Sequence, residues 1–216
     1  MVKLSEKYPL LNETDAILLD KAVNEIKEIS GIIGVVQIGS SIYSKNYNDI
    51  DLIVFFDSFL VPPELEIVRI NYKKTKLFIE GASTKYKDFN PGFKVFINFF
   101  SHLKHKKCLY GKDPFLKKKI VLKKTDVAAY IWYHWHVSEQ YEKGYENALP
   151  NSMNAMLSYI NVFPENKEQT LELFIKKFPF LTKYLPKNAQ TFLMGVNKSN
   201  FKELYLFFEN CLKYFA

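Results

Sequence analysis

Hydrophobic and polar positions change period along this chain, and the change divides it. Ala16, Leu19, Val23, Ile26 and Ile29 recur at three- and four-residue spacing, which predicts a helix over Asn12–Ser30 with Asn12 or Thr14 as cap and Gly31 as stop. Short apolar runs follow. Ile33–Ile38 and Asp51–Phe56 read as strands, the second apolar enough to be buried on both faces at a central sheet position. Val61-Pro62-Pro63-Glu64 opens a helix that Leu65–Tyr72 continues, and Lys76–Glu80 reads as a third strand. Phe93–Phe100 fits either a strand or a buried helix, after a polar loop over Ala82–Gly92. From Thr125 the period is helical, with helices expected over Asp126–Lys143 (ending at Gly144), Pro150–Val162, Asn166–Lys177, Lys187–Met194 and Asn200–Phe215. Asn200 and Glu203 have capping-box spacing, and Phe201, Tyr205, Phe208 and Leu212 fall where a core stripe would lie. The expected organisation is an α/β (α+β) domain with a mixed sheet over residues 1–115 and an all-α helical bundle over 116–216.

Composition narrows this picture in two places. Between His102 and Lys124 stand nine lysines against Asp113 alone, a local charge of +8 that exceeds the whole chain's +7. The basicity is therefore one segment, and the remainder supplies no second stripe of the kind a long nucleic acid would need. Cys108 and Cys211 form no C-x-x-C pair, so neither a zinc ribbon nor a disulfide framework is signalled. No apolar run approaches 18 residues and Met1–Lys7 has no leader-like pattern, which makes the cytoplasm the expected compartment, with no membrane partner.

Candidate chemistry concentrates between the first two strands, in Gly39-Ser40-Ser41-Ile42-Tyr43-Ser44-Lys45-Asn46-Tyr47-Asn48-Asp49-Ile50-Asp51. Side chains alternate along a strand, so Asp49 and Asp51 project from one face, roughly 7 Å apart. Two like charges on one face repel unless a cation lies between them, and Mg²⁺ suits hard oxygen ligands. The small-residue turn at Gly39, Ser40 and Ser41 offers backbone N–H groups and hydroxyls to phosphate oxygens. Gly, Ser, Asn and Asp are also ordinary hairpin residues.

These residues, with Leu52 after Asp51, resemble the signature of the DNA polymerase beta-like nucleotidyltransferase superfamily, in its minimal and aminoglycoside-modifying branches. Leu109-Tyr110-Gly111-Lys112-Asp113-Pro114 is similar to a turn that precedes the helical part in many of its members. The resemblance implies a Gly-Ser turn on the nucleotide's phosphates, two Mg²⁺ ions on Asp49 and Asp51, and a third acid on the later strand. Glu80 is the only acid there, with Phe78 as the other occupant of that position and Asn98 as a substitute hydrogen-bonding group. It also implies transfer of a nucleoside monophosphate from a nucleoside triphosphate to a hydroxyl. A small-molecule or protein acceptor fits the confined basicity better than RNA, and a homodimer is compatible with the sequence. An inactive nucleotide- or RNA-binding relative, or a partner subunit, is the competing expectation. An aminoglycoside-type resistance enzyme would need an acidic pocket, against which the lysine segment argues. His134 and His136 lie two apart on a helix, on different sides, and are expected to be structural. Arg69 is the only arginine, which excludes an R-x-x-x-x-H ribonuclease motif.

Overall fold

The computed structural model describes residues 3–85, 91–116, 120–141, 145–186, 189 and 201–216. They form two compact units, Met1–Tyr86 with Lys104–Leu116, and Lys87–Leu103 with Lys117–Ala216. The junction at 116/117 lies beside the boundary expected after residue 115, but 87–103 groups with the helices rather than with the sheet.

The first unit is built on a four-stranded mixed sheet of order β3-β2-β1-β4. The strands are β1 (Ile32–Ile38), β2 (Ile50–Phe56), β3 (Leu77–Ser83) and β4 (Lys106–Gly111). β1 runs antiparallel to β2 and β4, whereas β2 and β3 are parallel. A parallel pair needs a crossover, and α3 (Pro63–Tyr72) supplies it, with Pro63 in its first turn. Short α1 (Leu4–Lys7) leads into α2 (Glu13–Lys27), whose cap is Asn12, its side chain accepting the Asp15 N–H at 2.8 Å. Leu19, Val23 and Ile26 of α2 and Leu65, Val68 and Tyr72 of α3 pack on Ile50, Leu52, Val54 and Phe56 of β2. Each such buried side chain contributes about 1.5–3 kcal/mol. The alternate positions Asp51, Ile53 and Phe55 belong to the other face of the sheet, where Phe55 meets the edge of Phe115 at 5.3 Å.

β4 was not expected. Lys106-Lys107-Cys108-Leu109-Tyr110 has no apolar run, and its residues are mostly exposed or half-buried. It forms because the open edge of β1 has backbone groups to satisfy. Two glycines let the chains close up: a Cβ at Gly34 would lie 2.0 Å from the Lys112 carbonyl oxygen, and one at Gly111 2.1 Å from that of Ile33.

The second unit contains α4 (Pro91–His102), α5 (Lys124–Tyr141), α6 (Tyr145–Tyr159), α7 (Lys167–Lys177), a 3-10 turn (Pro179–Tyr184) and α8 (Phe201–Phe215). The Phe93–Phe100 segment is thus helical. Asn98 on it is buried and donates to the Ser158 carbonyl at 3.3 Å, inside this unit. α6 starts five residues before Pro150, because Ala148 and Leu149 carry the buried stripe of Met153 and Met156 backwards past the proline. On α8 the buried face is Leu204, Phe207, Phe208, Cys211 and Phe215, so Tyr205, expected in the core, is 44% exposed. The Asn200–Glu203 capping box, the Lys187–Met194 helix and Gly144 lie outside the described residues. Among the described residues no helix is long and apolar enough to cross a membrane.

Candidate active site

The acids are positioned by a turn at the end of β1. Gly39 has φ +81°, a conformation that favours glycine, and a Cβ there would lie 2.7 Å from Asp51 Oδ2. The carboxylate of Asp51 is therefore seated against the Gly39 backbone. Ser40–Ile42 form a single 3-10 turn, whose first N–H groups have no partner within the turn. Ser40 is half-buried, whereas Ser41 is buried and its Oγ accepts from Gln37 Nε2 at 3.0 Å. A glutamine inside the apolar strand IIGVVQI is the sequence signal for this brace. Farther along, Tyr47 donates its hydroxyl to Asp15 Oδ2 at 2.8 Å and accepts from the Asn12 N–H at 3.3 Å. That fastens the loop two residues before Asp49 to the N-terminus of α2. The Ile50 N–H donates to the Lys76 carbonyl at 2.9 Å, drawing the start of β3 alongside Asp49.

Strand register decides how the third acid stands. Asp51 is opposite Ile38 on β1 and Phe78 on β3, while Glu80 is opposite Ile53. Glu80 thus shares the Asp51 face, one diagonal step away, and Phe78 is the residue level with Asp51. Burial, then the charges of Asp49 and Glu80, push the Asp51 carboxyl up to about 6. Glu80 is itself raised by burial, and Arg69 opposes the rise. Arg69 is held in place by donating Nε–H to the Ile79 carbonyl at 3.0 Å and by a 2.6 Å contact with Glu66.

A carboxyl whose charge is disfavoured first by burial and then by two neighbouring acids belongs to a site short of positive charge. Asp49 and Asp51, with Glu80 beside them, fit Mg²⁺, which takes few protein oxygens and completes its shell with water and phosphate. Among the described residues no three His, Cys, Asp or Glu side chains converge into a ready-made metal cage. Beyond Asp49 a groove of about 620 Å³ runs between α3 and β3, with Arg69, Ile70, Lys73, Lys76 and Phe78 in its walls.

The lysine segment is divided between the two units. Lys106 pairs with Asp113 at 2.7 Å and Lys107 lies over the Tyr8 ring in the first unit, whereas Lys124 lies over Tyr214 in the second. Lys117, Lys118 and Lys119 are outside the described residues. His134 is largely shielded, its ring Nδ1 3.4 Å from the Asn151 amide, and His136 stacks on Trp132 at 4.8 Å.

No protein-family model matches the sequence, and no curated protein matches it. Among solved structures the chain is similar to the spectinomycin adenyltransferase AAD(9) from Enterococcus faecialis, solved with ATP and spectinomycin. The likeness covers 90% of this chain and 99% of that one with a TM-score of 0.55, at 14% sequence identity. The mixed sheet bearing Gly39, Asp49 and Asp51, with its helices, is a nucleotidyltransferase fold.

Proposed function

We propose that the protein is a nucleotidyltransferase that moves a nucleoside monophosphate from a nucleoside triphosphate to an acceptor hydroxyl. The reading is carried by the seating of Asp51 against Gly39 within the field of Asp49 and Glu80, which joins a phosphate-binding turn to a cation-binding pair. The fold shared with an adenyltransferase solved with ATP supports it.

Two Mg²⁺ ions held through Asp49 and Asp51 would supply charge neutralisation to the phosphates and a more acidic acceptor hydroxyl. The chain's own groups do the rest by positioning. The N–H groups of Ser40 and Ser41 and the Ser40 hydroxyl bind the β- and γ-phosphates. Glu80, its proton affinity raised, takes the acceptor's proton as the acceptor oxygen bonds to the α-phosphorus. The bond from that phosphorus to the β-phosphate oxygen breaks, and pyrophosphate leaves with its electron pair.

The test is pyrophosphate release from labelled ATP, CTP, GTP and UTP, with and without Mg²⁺, for wild type and Asp51→Asn. Release that needs Mg²⁺ and vanishes in the variant is expected. Triphosphate binding without turnover, against neutral, amino-sugar and phosphorylated acceptors alike, would assign the chain to the binding proteins instead.

A further inference from the structure

The groove beside Asp49 has a chemistry that the transfer reaction does not itself require. Its cations are Arg69 and Lys73 on and just after α3, and Lys76 before β3; its acids are Glu66 and Asp49. Glu66 is bonded to Arg69, and Lys76 is 3.7 Å from Asp15 with its ammonium 5.6 Å from the Tyr47 ring. Lys73 is exposed and makes no ion pair among the described residues. Phe78 adds a ring that is 55% exposed, on the strand position opposite Asp51.

The placement gives the groove a direction. Across this end of the sheet the order is the Gly39–Ser41 turn after β1, the acids on β2, then Phe78 and the groove on β3. In-line displacement needs the leaving pyrophosphate and the attacking hydroxyl on opposite sides of the α-phosphorus. With the triphosphate's tail on the turn, the acceptor approaches from the β3 side. On the strength of the transfer reading above, we infer that the acceptor is a small phosphate-bearing molecule of about nucleotide size, its planar or apolar part on Phe78 and Ile70 and its phosphate on Lys73, with Arg69 and Lys76 flanking. A volume of about 620 Å³ suits one such molecule. A phosphate's negative charge is met by Lys73, while Arg69 and Lys76, already paired with Glu66 and Asp15, add hydrogen-bond donors at its flanks.

The experiment titrates the full chain, already saturated with Mg²⁺ and a non-hydrolysable ATP analogue, with adenosine monophosphate and separately with adenosine. The monophosphate is expected to bind one equivalent at least tenfold tighter than adenosine. Lys73→Glu is expected to weaken it tenfold or more, Lys73→Gln by an intermediate factor and Phe78→Ala about threefold, with the analogue's affinity and the thermal melting curve unchanged. Equal affinity for the two probes, or an unaltered monophosphate affinity in Lys73→Glu, overturns the inference. So does a single-stranded 12-mer that binds tenfold tighter than the monophosphate, because the groove then belongs to a polynucleotide. Failure of the ATP analogue to bind while the monophosphate binds as expected would strike the transfer reading and leave the groove standing; the converse pattern would do the reverse.

Discussion

Asp51 in the sheet unit and His134 in the helical unit are both largely withdrawn from water, with different results. In each, burial disfavours the charged form, so the acid is pushed up to about 6 and the histidine down to about 4. For His134 burial is the whole cause, and the neutral ring has an amide and the Tyr130 ring, 4.4 Å away, as company. Asp51 has Asp49 and Glu80 instead, whose charges add to its own. Desolvation alone yields a settled neutral group, whereas desolvation among like charges yields a group that gains from a cation. The second arrangement is what a metal-dependent site needs.

That contrast breaks most visibly at Asp51. Asp51→Asn is expected to lower nucleotidyl transfer about a thousandfold. It should also raise the metal-free stability, by on the order of 1–2 kcal/mol after solvent screening, because a partly buried charge is removed and with it the repulsion from Asp49 and Glu80. Chemical denaturation in EDTA reads the second effect, and a destabilised variant would contradict the electrostatic account. Gly39→Ala comes next: its methyl meets the Asp51 carboxylate at a positive φ, and displacing that group should cost about a hundredfold in kcat/KM. The pH profile should sharpen the comparison further. Transfer at subsaturating Mg²⁺ is expected to fall about tenfold per pH unit below pH 6 as Asp51 takes its proton, and added Mg²⁺ should move the midpoint down.

Stability separates the two groups by sign. Asp51 binds its proton more tightly when folded, so its contribution is lost as pH rises from about 4 to about 6 in the absence of metal. His134 binds its proton less tightly when folded, so its contribution is lost as pH falls from 6.5 towards about 4, on the order of 2 kcal/mol in all. Denaturation midpoints of His134→Gln across that window should lose the acid-side decline and keep the other. The smallest change is Tyr47→Phe, which removes one hydroxyl between Asp15 and Asn12 and should cost about 1 kcal/mol with little effect on kcat.

The elements that hold the acids were legible because their patterns are local. α2 declares its cap at Asn12, β2 is an unbroken apolar run, and Pro62-Pro63 marks the start of α3. β4 was illegible because its strand state is conferred by the edge of β1, some seventy residues earlier in the chain, and not by its own lysine-rich sequence. The pair Asp49 and Asp51 could be read from alternation alone. Whether Glu80 or Phe78 stands level with Asp51 could not, since a parallel register is set by the length and packing of the intervening helix. Arg69 and Phe78 gave no motif either; a lone arginine and an aromatic strand residue acquire meaning only once a groove runs between them. On α8 the expected Phe208 is in the core and Leu212 packs against it, but Tyr205 is exposed, a distinction that the aromatic-rich sequence FKELYLFFENCLKYF disguises by placing large side chains on every side.

The interleaving of the two units bears on how the chain is made. β1 emerges early, yet the strand that covers its second edge comes only with Lys106–Gly111, after α4 of the other unit has been synthesised. Until then Ile32–Ile38, with five β-branched residues in seven, presents an unpaired edge of the sort that recruits other chains. A truncation at the end of β3 would leave that edge bare for good, so the sheet unit cannot be harvested as a simple N-terminal piece. The two glycines at the β1–β4 seam are thus guardians of solubility during synthesis as much as spacers in the finished fold.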